Sequence, residues 1–329
     1  MKRFETDVLS QIRRRGDGIR NCSVIVACSG GGDSVALLAC LVGLKSSLKL
    51  ELAVAHANHN LRTESNEESE FVRHLCGNYG LAYLGCSLDV ISHSKETNQG
   101  IETTARDLRW RWLKEEATKS GAKWIATGHT IEDHTETIFL RLARGSGAGC
   151  LTGLPAVQAP RWSPLIECRR KKLRDYLCSS GIEWREDHTN DIGFTPRNRW
   201  RKLMESFRTE SHSLDKHLWE THRQIAELSE LKDTTIAGWK SERWGISIEG
   251  GIWLALGMTA RDLVWVLDFA LKELDLPREA GHLLDLADWI SKVASSPIKR
   301  VWKWGNWSLS PHNKGVLLQL GFPKNINKG

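Results

Sequence analysis

Residues 24–38 constrain the fold more than any other stretch. They pass from an apolar run, Val24-Ile25-Val26-Ala27-Cys28, through Ser29-Gly30-Gly31-Gly32-Asp33-Ser34 into Val35-Ala36-Leu37-Leu38. The apolar run reads as a buried strand and the residues after Ser34 begin a helical pattern. Three glycines between them remove every Cβ at the bend, so the backbone can lie close to an anion. The N–H groups of such a bend and of the helix start behind it form a positively polarised seat for phosphate. Ser29 and Ser34 add hydroxyl donors, and Asp33 is a candidate ligand for a metal ion bridging phosphates. No Lys-Ser/Thr pair follows the glycines, so this is not the loop of phosphate-transferring NTPases. A glycine-rich turn without a ligand is the bland alternative.

A chain of 329 residues can bury a large core and is expected to divide in two. The expected layout is an α/β domain over 1–208, a helical linker over 209–244 and a small α+β domain over 245–329. Strand candidates at Val24–Cys28, Leu50–Ala55, Leu81–Cys86 and Lys123–Thr127 alternate with helix candidates at Ser34–Leu44, Glu64–Tyr79, Glu102–Ser120 and Glu132–Ala143. That alternation predicts a Rossmann-like parallel sheet covered on both faces. Ligands of such sheets sit at the carboxyl ends of the strands, where Gly30, His56 and His129 all fall.

The formal charge of +6 and a pI near 8.9 suit an anionic partner. Charged residues interrupt every apolar run before it reaches membrane-spanning length, and Met1–Asp7 lacks the apolar core of a signal peptide. A cytoplasmic protein without membrane contact is therefore expected. All eight cysteines lie between Cys22 and Cys178 with no Cys-x-x-Cys pair, which argues against zinc ribbons and iron–sulfur sites. Reduced thiols are the expected state.

A second signal is Thr127-Gly128-His129-Thr130-Ile131-Glu132-Asp133-His134-Thr135-Glu136. A strand ends at Gly128 and a helix follows, on which Asp133 and Glu136, three apart, share a face. Beside His129 these acids could hold Mg²⁺ or position an amine; the alternative is a helix start enriched in acids that suit its dipole. A third cluster places Glu102, Arg106 and Arg109 on one helical stripe, either charge-offsetting groups for a phosphate or an ordinary ion-paired face.

Two basic stretches point to nucleic acid. Arg169-Arg170-Lys171-Lys172-Leu173-Arg174 holds five cations in six residues, and Arg197-Asn198-Arg199-Trp200-Arg201-Lys202 interleaves four with an aromatic. Solvated helix faces are the alternative. Beyond Arg208 the character changes. Leu214–Leu231 reads as a long amphipathic helix, and Thr259–Leu274 and Arg278–Val293 as two more. Nine of the fifteen tryptophans lie from Trp219 onward, so this region has enough aromatic surface for a core of its own. Lys299–Trp307 alternates aromatic and polar residues as a hairpin strand would, with Gly305-Asn306 as its turn.

Taken in order, these motifs resemble the tRNA(Ile)-lysidine synthetases, a family of PP-loop ATP pyrophosphatases. The resemblance rests on Ser29–Ser34, Ala55–Arg62, Glu102…Arg106…Arg109, Thr127–Leu154, Pro164-Leu165-Ile166, Arg169–Leu177, Glu186–Asn190 and Arg197–Arg201. It is close over about 20–205 and looser from Ala255 to Leu320. Trp110 stands where the family usually has Tyr, and His188-Thr189 where Ser often precedes Asn190.

The resemblance implies ATP and Mg²⁺ as cofactors, with L-lysine and the CAU-anticodon tRNA(Ile) as substrates. The wobble cytidine is adenylated with loss of pyrophosphate, and the lysine ε-amine then displaces AMP to leave lysidine. It implies Ser29, Gly30, Gly31, Gly32, Asp33, Ser34, His56 and Gly128 at the nucleotide. Asp33 and Asp133 would hold the metal, with Asp33, Arg106, His129, Asp133 and Glu136 in the chemistry. The RNA would meet Arg169, Arg170, Lys171, Lys172, Arg174, Arg197, Arg199 and Arg201, and the C-terminal domain would grip the tRNA body. A homodimer is an assembly the sequence allows. Rival readings are a base-thiolating enzyme of the same fold, an amide-forming ligase for small molecules, and a non-catalytic RNA-binding protein. The missing Cys-x-x-Cys weighs against the first, the basic Trp-rich tail against the second, and intact Ser29, Asp33 and Ser34 against the third.

Overall fold

The computed structural model describes residues 2–58, 65–144, 151–185, 196–247, 251–274, 276, 280–294, 301–304 and 307–320, and for 65, 196–198, 280, 281, 294, 302, 304 and 320 the backbone alone. Contacts divide the chain into two compact units, one of Met1–Leu140 with Gly153–Glu220 and one of Arg141–Thr152 with Thr221–Gly329.

The first unit begins α1 (Arg3–Arg15), β1 (Cys22–Ala27), α2 (Gly32–Leu48), β2 (Leu50–Asn58), α3 (Ser65–Tyr79) and β3 (Ala82–Ser87). It continues with α4 (Val90–Thr97), α5 (Ile101–Ser120), β4 (Trp124–Ala126), α6 (Ile131–Ala143, of which Arg141–Ala143 count with the second unit), β5 (Val157–Gln158), β6 (Arg161–Trp162), α7 (Arg170–Ser179) and α8 (Pro196–Glu210). Its sheet has the order β3-β2-β1-β4-β6-β5, parallel except for the β5–β6 pair. β1 is central because it is apolar on both sides: Val24, Ile25 and Val26 are all buried. One face packs α2, whose residues Val35 to Leu41 are all buried. The other face packs Leu113 and Ala117 of α5 against Ile25, Ala55 and Ile125. A helix apolar all round is what a buried layer requires. The chain runs outward from β1 through β2 to β3, and β4 lies on the other side of β1. Crossovers therefore diverge between β1 and β4, and the loops after these two strands face one crevice.

The expected Rossmann-like parallel sheet is thus present, with strand ends within about three residues of the sequence reading. Seven described cysteines are free thiols, and Cys28, Cys40, Cys76 and Cys168 are buried.

α9 (Leu214–Gly238) runs across the boundary between the units. The second unit then forms β7 (Trp244–Ile246), β8 (Ile252–Leu254), α10 (Ala260–Glu273), α11 (Ala280–Ala294), β9 (Trp302–Trp304), β10 (Trp307–His312) and β11 (Gly315–Leu320). Its five-stranded sheet, β7-β8-β11-β10-β9, is antiparallel throughout. Trp244, Leu254, Leu309 and Leu318 meet Val266, Leu267, Leu286 and Ile290 in a separate core, so both helices cover one face. β9 and β10 form the expected hairpin pair, and its turn, Gly305-Asn306, lies outside the described residues.

Candidate active site at the carboxyl ends of the parallel strands

The bend after β1 is held open by its own polar groups. Gly30 adopts φ +90°, a region that favours glycine, and Gly31 caps α2. Ser34 Oγ donates to Gly31 O at 2.8 Å and accepts from Ser29 N at 3.1 Å, which ties the two ends of the turn together. Arg185 N donates to Gly30 O at 3.0 Å, fixing the outer side of the loop. A Cβ at Gly32 would overlap the Arg174 guanidinium.

His56 is buried at the end of β2 with a partner on each ring nitrogen. Nδ1 donates to Cys28 O at 2.9 Å, since a carbonyl only accepts, and this leaves Nε2 to accept from Ser69 Oγ at 3.1 Å. Burial lowers its pKa, so the ring is neutral and fastens the strand end beneath the loop. Gly128 closes the crevice from the β4 side: a Cβ there would lie 2.9 Å from Asp33 O and 3.0 Å from its carbonyl carbon. His129 follows, with Nδ1 2.8 Å from Thr127 Oγ1, which is itself 3.0 Å from Ser163 Oγ.

Acids and arginines converge beside the loop. Asp133 Oδ2 accepts from Thr130 N and Oγ1, both at 2.9 Å, and Thr130 Oγ1 faces Asp133 N at 3.4 Å, a capping box at the start of α6. Its other oxygen, Oδ1, is 2.6 Å from Arg170 Nη2. Glu136, fully buried one turn on, accepts from Arg170 Nη1 at 3.1 Å and Arg201 Nε at 3.2 Å. Asp33 lies 3.4 Å from Arg170 Nε and 3.3 Å from Arg174 Nη1. The Glu132 carboxylate holds the Arg170 backbone N–H at 3.1 and 3.2 Å.

The electrostatics follow from that packing. Burial raises the pKa of Asp33; the field of Arg170 opposes the rise, that of Asp133 adds to it, and that of Arg174 opposes it. Burial raises Glu132 as well. Burial alone would lower Arg170, but Asp133, Glu136, Asp33 and Glu132 together override it and hold the guanidinium firmly charged.

Of the residues singled out from the sequence, Ser29–Ser34, Gly128, His129, Asp133 and Glu136 fall on the two strand-end loops and the helix starts behind them. Arg106 lies exposed on α5, and among the described residues it is not an ion-pair partner of these acids. The basic runs are divided. Arg170, Arg174 and Arg201 turn to the acids, Arg169 donates to His212 O at 2.6 Å, and Lys171, Lys172 and Arg199 are exposed. Arg197 has no described side chain, and 59–62 and 186–190 lie outside the described residues. The inward role of Arg170 and Arg174 was legible in principle: Arg170, Leu173, Arg174 and Leu177 follow helical i, i+3, i+4, i+7 spacing, and both leucines are buried.

Oxygen donors suit a magnesium ion, and Asp33 with Asp133 supplies two carboxylates facing one arginine. Among the described residues no group of three His, Cys, Asp or Glu could hold a metal alone. The donor set fits an ion that shares its shell with phosphate oxygens, which is how Mg²⁺ commonly binds.

A strand, a bare-glycine bend and a helix at the switch point of a parallel sheet define a PP-loop protein, and residues 4–206 match the family described as PP-loop domain. A tRNA(Ile)-lysidine synthase of Chlorobaculum tepidum is 32% identical over 257 residues, covering 76% of this chain and 77% of that protein. One of Nitratidesulfovibrio vulgaris is 35% identical over 188 residues, 56% of this chain and 54% of that protein. The chain belongs to the tRNA(Ile)-lysidine synthase family of PP-loop proteins, and it is an ATP-dependent tRNA-modifying ligase. A tRNA thiolase of Methanococcus maripaludis shares the fold at a TM-score of 0.56 and 12% identity, over 68% of this chain and 80% of that one.

Proposed function

We propose that this chain joins L-lysine to carbon 2 of the wobble cytidine in the CAU anticodon of tRNA(Ile). The cytidine 2-oxygen attacks the α-phosphate of ATP, and the bond to the β-phosphate breaks, releasing diphosphate. The neutral lysine ε-amine then bonds to carbon 2, the 2-oxygen departs with AMP, and a proton is lost from the new C–N nitrogen. The observation that carries this reading is the glycine bend at Ser29–Ser34 with Asp33, Asp133 and Glu136 gathered beside it.

The residues divide the work by chemistry. The loop amides with Ser29 and Ser34 bind the departing diphosphate. Asp33 and Asp133 would hold Mg²⁺, which neutralises phosphate charge when bound. His129 and Arg106 are assigned to the charge developing on the α-phosphate. Asp133 and Glu136 bind the lysine ammonium and assist its deprotonation before attack. Arg169, Lys171, Lys172, Arg197 and Arg199 take RNA phosphates, while Arg170, Arg174 and Arg201 serve at the acids. The second unit is assigned to the tRNA body. Among the described residues no helix is long and apolar enough to cross a membrane, and we assign the reaction to the cytoplasm.

The test is incubation with Mg²⁺, ATP, labelled lysine and CAU-anticodon tRNA. Label in the RNA with stoichiometric AMP and diphosphate is the expected result. Formation of ADP and orthophosphate, or no label in RNA, overturns the reading.

A further inference from the structure

Arg170 sets one guanidinium nitrogen against each of three acids: Nε 3.4 Å from Asp33, Nη2 2.6 Å from Asp133 and Nη1 3.1 Å from Glu136. The acids belong to two elements. Asp33 lies in the first turn of α2 at the glycine bend, and Asp133 and Glu136 are on α6. Arg170 thus ties the phosphate-facing side of the crevice to the acids on the other side. Its backbone is pinned by Glu132, so the side chain is the part able to change partners.

The partners are strongly invested. Asp133 Oδ2 accepts from Thr130 and Oδ1 from Arg170, so any cation that Asp133 takes at Oδ1, Mg²⁺ or an ammonium, must displace the guanidinium or share that oxygen. Glu136 is fully buried and takes Arg170 and Arg201 on the same oxygen. An ammonium ion can reach full contact with this pair only if Arg170 yields. A guanidinium fits phosphate as well as carboxylate in the same forked geometry, so a polyphosphate at the bend competes for it directly. Once Arg170 moves toward phosphate, Asp133 loses its arginine and the wholly buried Glu136 keeps Arg201 but loses part of its counter-charge, which is costly for a buried carboxylate. An incoming cation then binds where the guanidinium was.

We propose that Arg170 couples the two small-ligand subsites, shielding Asp133 and Glu136 until nucleotide phosphates draw it away, so that nucleotide tightens lysine binding. This rests on the assignment of the lysine ammonium to Asp133 and Glu136 above. Linkage requires the reverse effect to be equal: lysine tightens nucleotide by the same factor.

The experiment is calorimetric titration of the full chain with L-lysine, in Mg²⁺ alone and in Mg²⁺ with α,β-methylene-ATP, whose bridging carbon blocks AMP transfer. The expected result is lysine binding at least tenfold tighter with the nucleotide. Arg170→Gln should abolish the ratio by strengthening lysine binding in Mg²⁺ alone, a gain no damaged fold can produce. Arg170→Lys, which keeps a cation, should restore part of the ratio and decides the matter if the Gln variant does not fold. Equal lysine affinity in both states, or weaker binding with nucleotide, overturns the coupling and leaves the ligase reading standing. Absence of lysine binding in either state also overturns it, and the labelling assay then shows separately whether the ligase reading falls too.

Discussion

Gly128 is a glycine because of its neighbour rather than its own φ. The end of β4 comes so close to the first turn of α2 that any Cβ would press on the Asp33 carbonyl, a backbone group with no room to swing aside. Gly128→Ala is therefore expected to cost about 1–3 kcal/mol, the range for overpacking a fitted site. It should also lower lysine incorporation by more than its effect on Tm would suggest, because the strained atoms carry Asp33. Thermal melts and the labelling assay run side by side check this; a variant as active as wild type would show the contact yields. His56 gives a pH prediction. Its pKa in the fold lies below the unfolded value of about 6.5, so below that pH the unfolded chain binds more protons than the native one. Its contribution is complete above pH 6.5 and declines as pH falls through the native pKa. His222 is lowered in the same direction and is present in both proteins, so the comparison isolates His56. Wild type should lose more Tm than His56→Asn between pH 7 and pH 5, measured by circular dichroism.

At the scale of the element, α6 carries two duties in one first turn. Thr130 and Asp133 cap the helix, and Asp133 also faces Arg170. Different substitutions separate these duties. Thr130→Ala should cost about 1 kcal/mol, as lost caps do, and leave much of the activity. Asp133→Asn keeps an acceptor for the cap but removes the charge, so the fold should survive while lysidine formation drops by at least a hundredfold. Equal loss of activity in both variants would mean the acid serves only the helix. The sequence made part of this visible. Asp133 and Glu136 three apart on a helix had to share a face, and both do reach Arg170. Their counter-ions were hidden because Arg170 and Arg201 lie 37 and 65 residues away from Asp133 and Glu136 respectively. A run of cations reads as one patch along the chain, whereas the helix turns Arg170 and Arg174 inward and leaves Lys171 and Lys172 in solvent. For these two lysines the RNA assignment makes its own forecast. Replacing both with Ala should reduce the slope of log affinity for tRNA against log salt by about 1 to 2, as expected for one phosphate contact each. α1 carries its own signal, since Phe4, Val8, Leu9 and Ile12 recur at i, i+4, i+5 and i+8 among charged residues, the spacing of an amphipathic helix. β5 and β6, two residues each, are too short for any alternation to register.

For the molecule as a whole, the decisive fact is that each unit owns a core. Leu37, Leu41, Val54 and Trp162 lie in the first, and Trp244, Leu254, Val266 and Leu309 in the second. Two cores mean that damage to one need not spread to the chemistry placed on the other. Leu254 is fully buried on β8, so Leu254→Ala should cost about 2–5 kcal/mol, nearly all of it in the second unit. The calorimetric trace should then resolve into two transitions, the lower one displaced and the upper one unchanged. Nucleotide binding at the glycine bend should keep its affinity because the Asp33–Arg170–Asp133–Glu136 cluster lies wholly in the first unit. Affinity for tRNA should fall at least tenfold at temperatures between the two transitions, where only the second unit has melted. Unchanged tRNA affinity there would remove the second unit from RNA recognition and place the whole of it on the α7 and α8 cations.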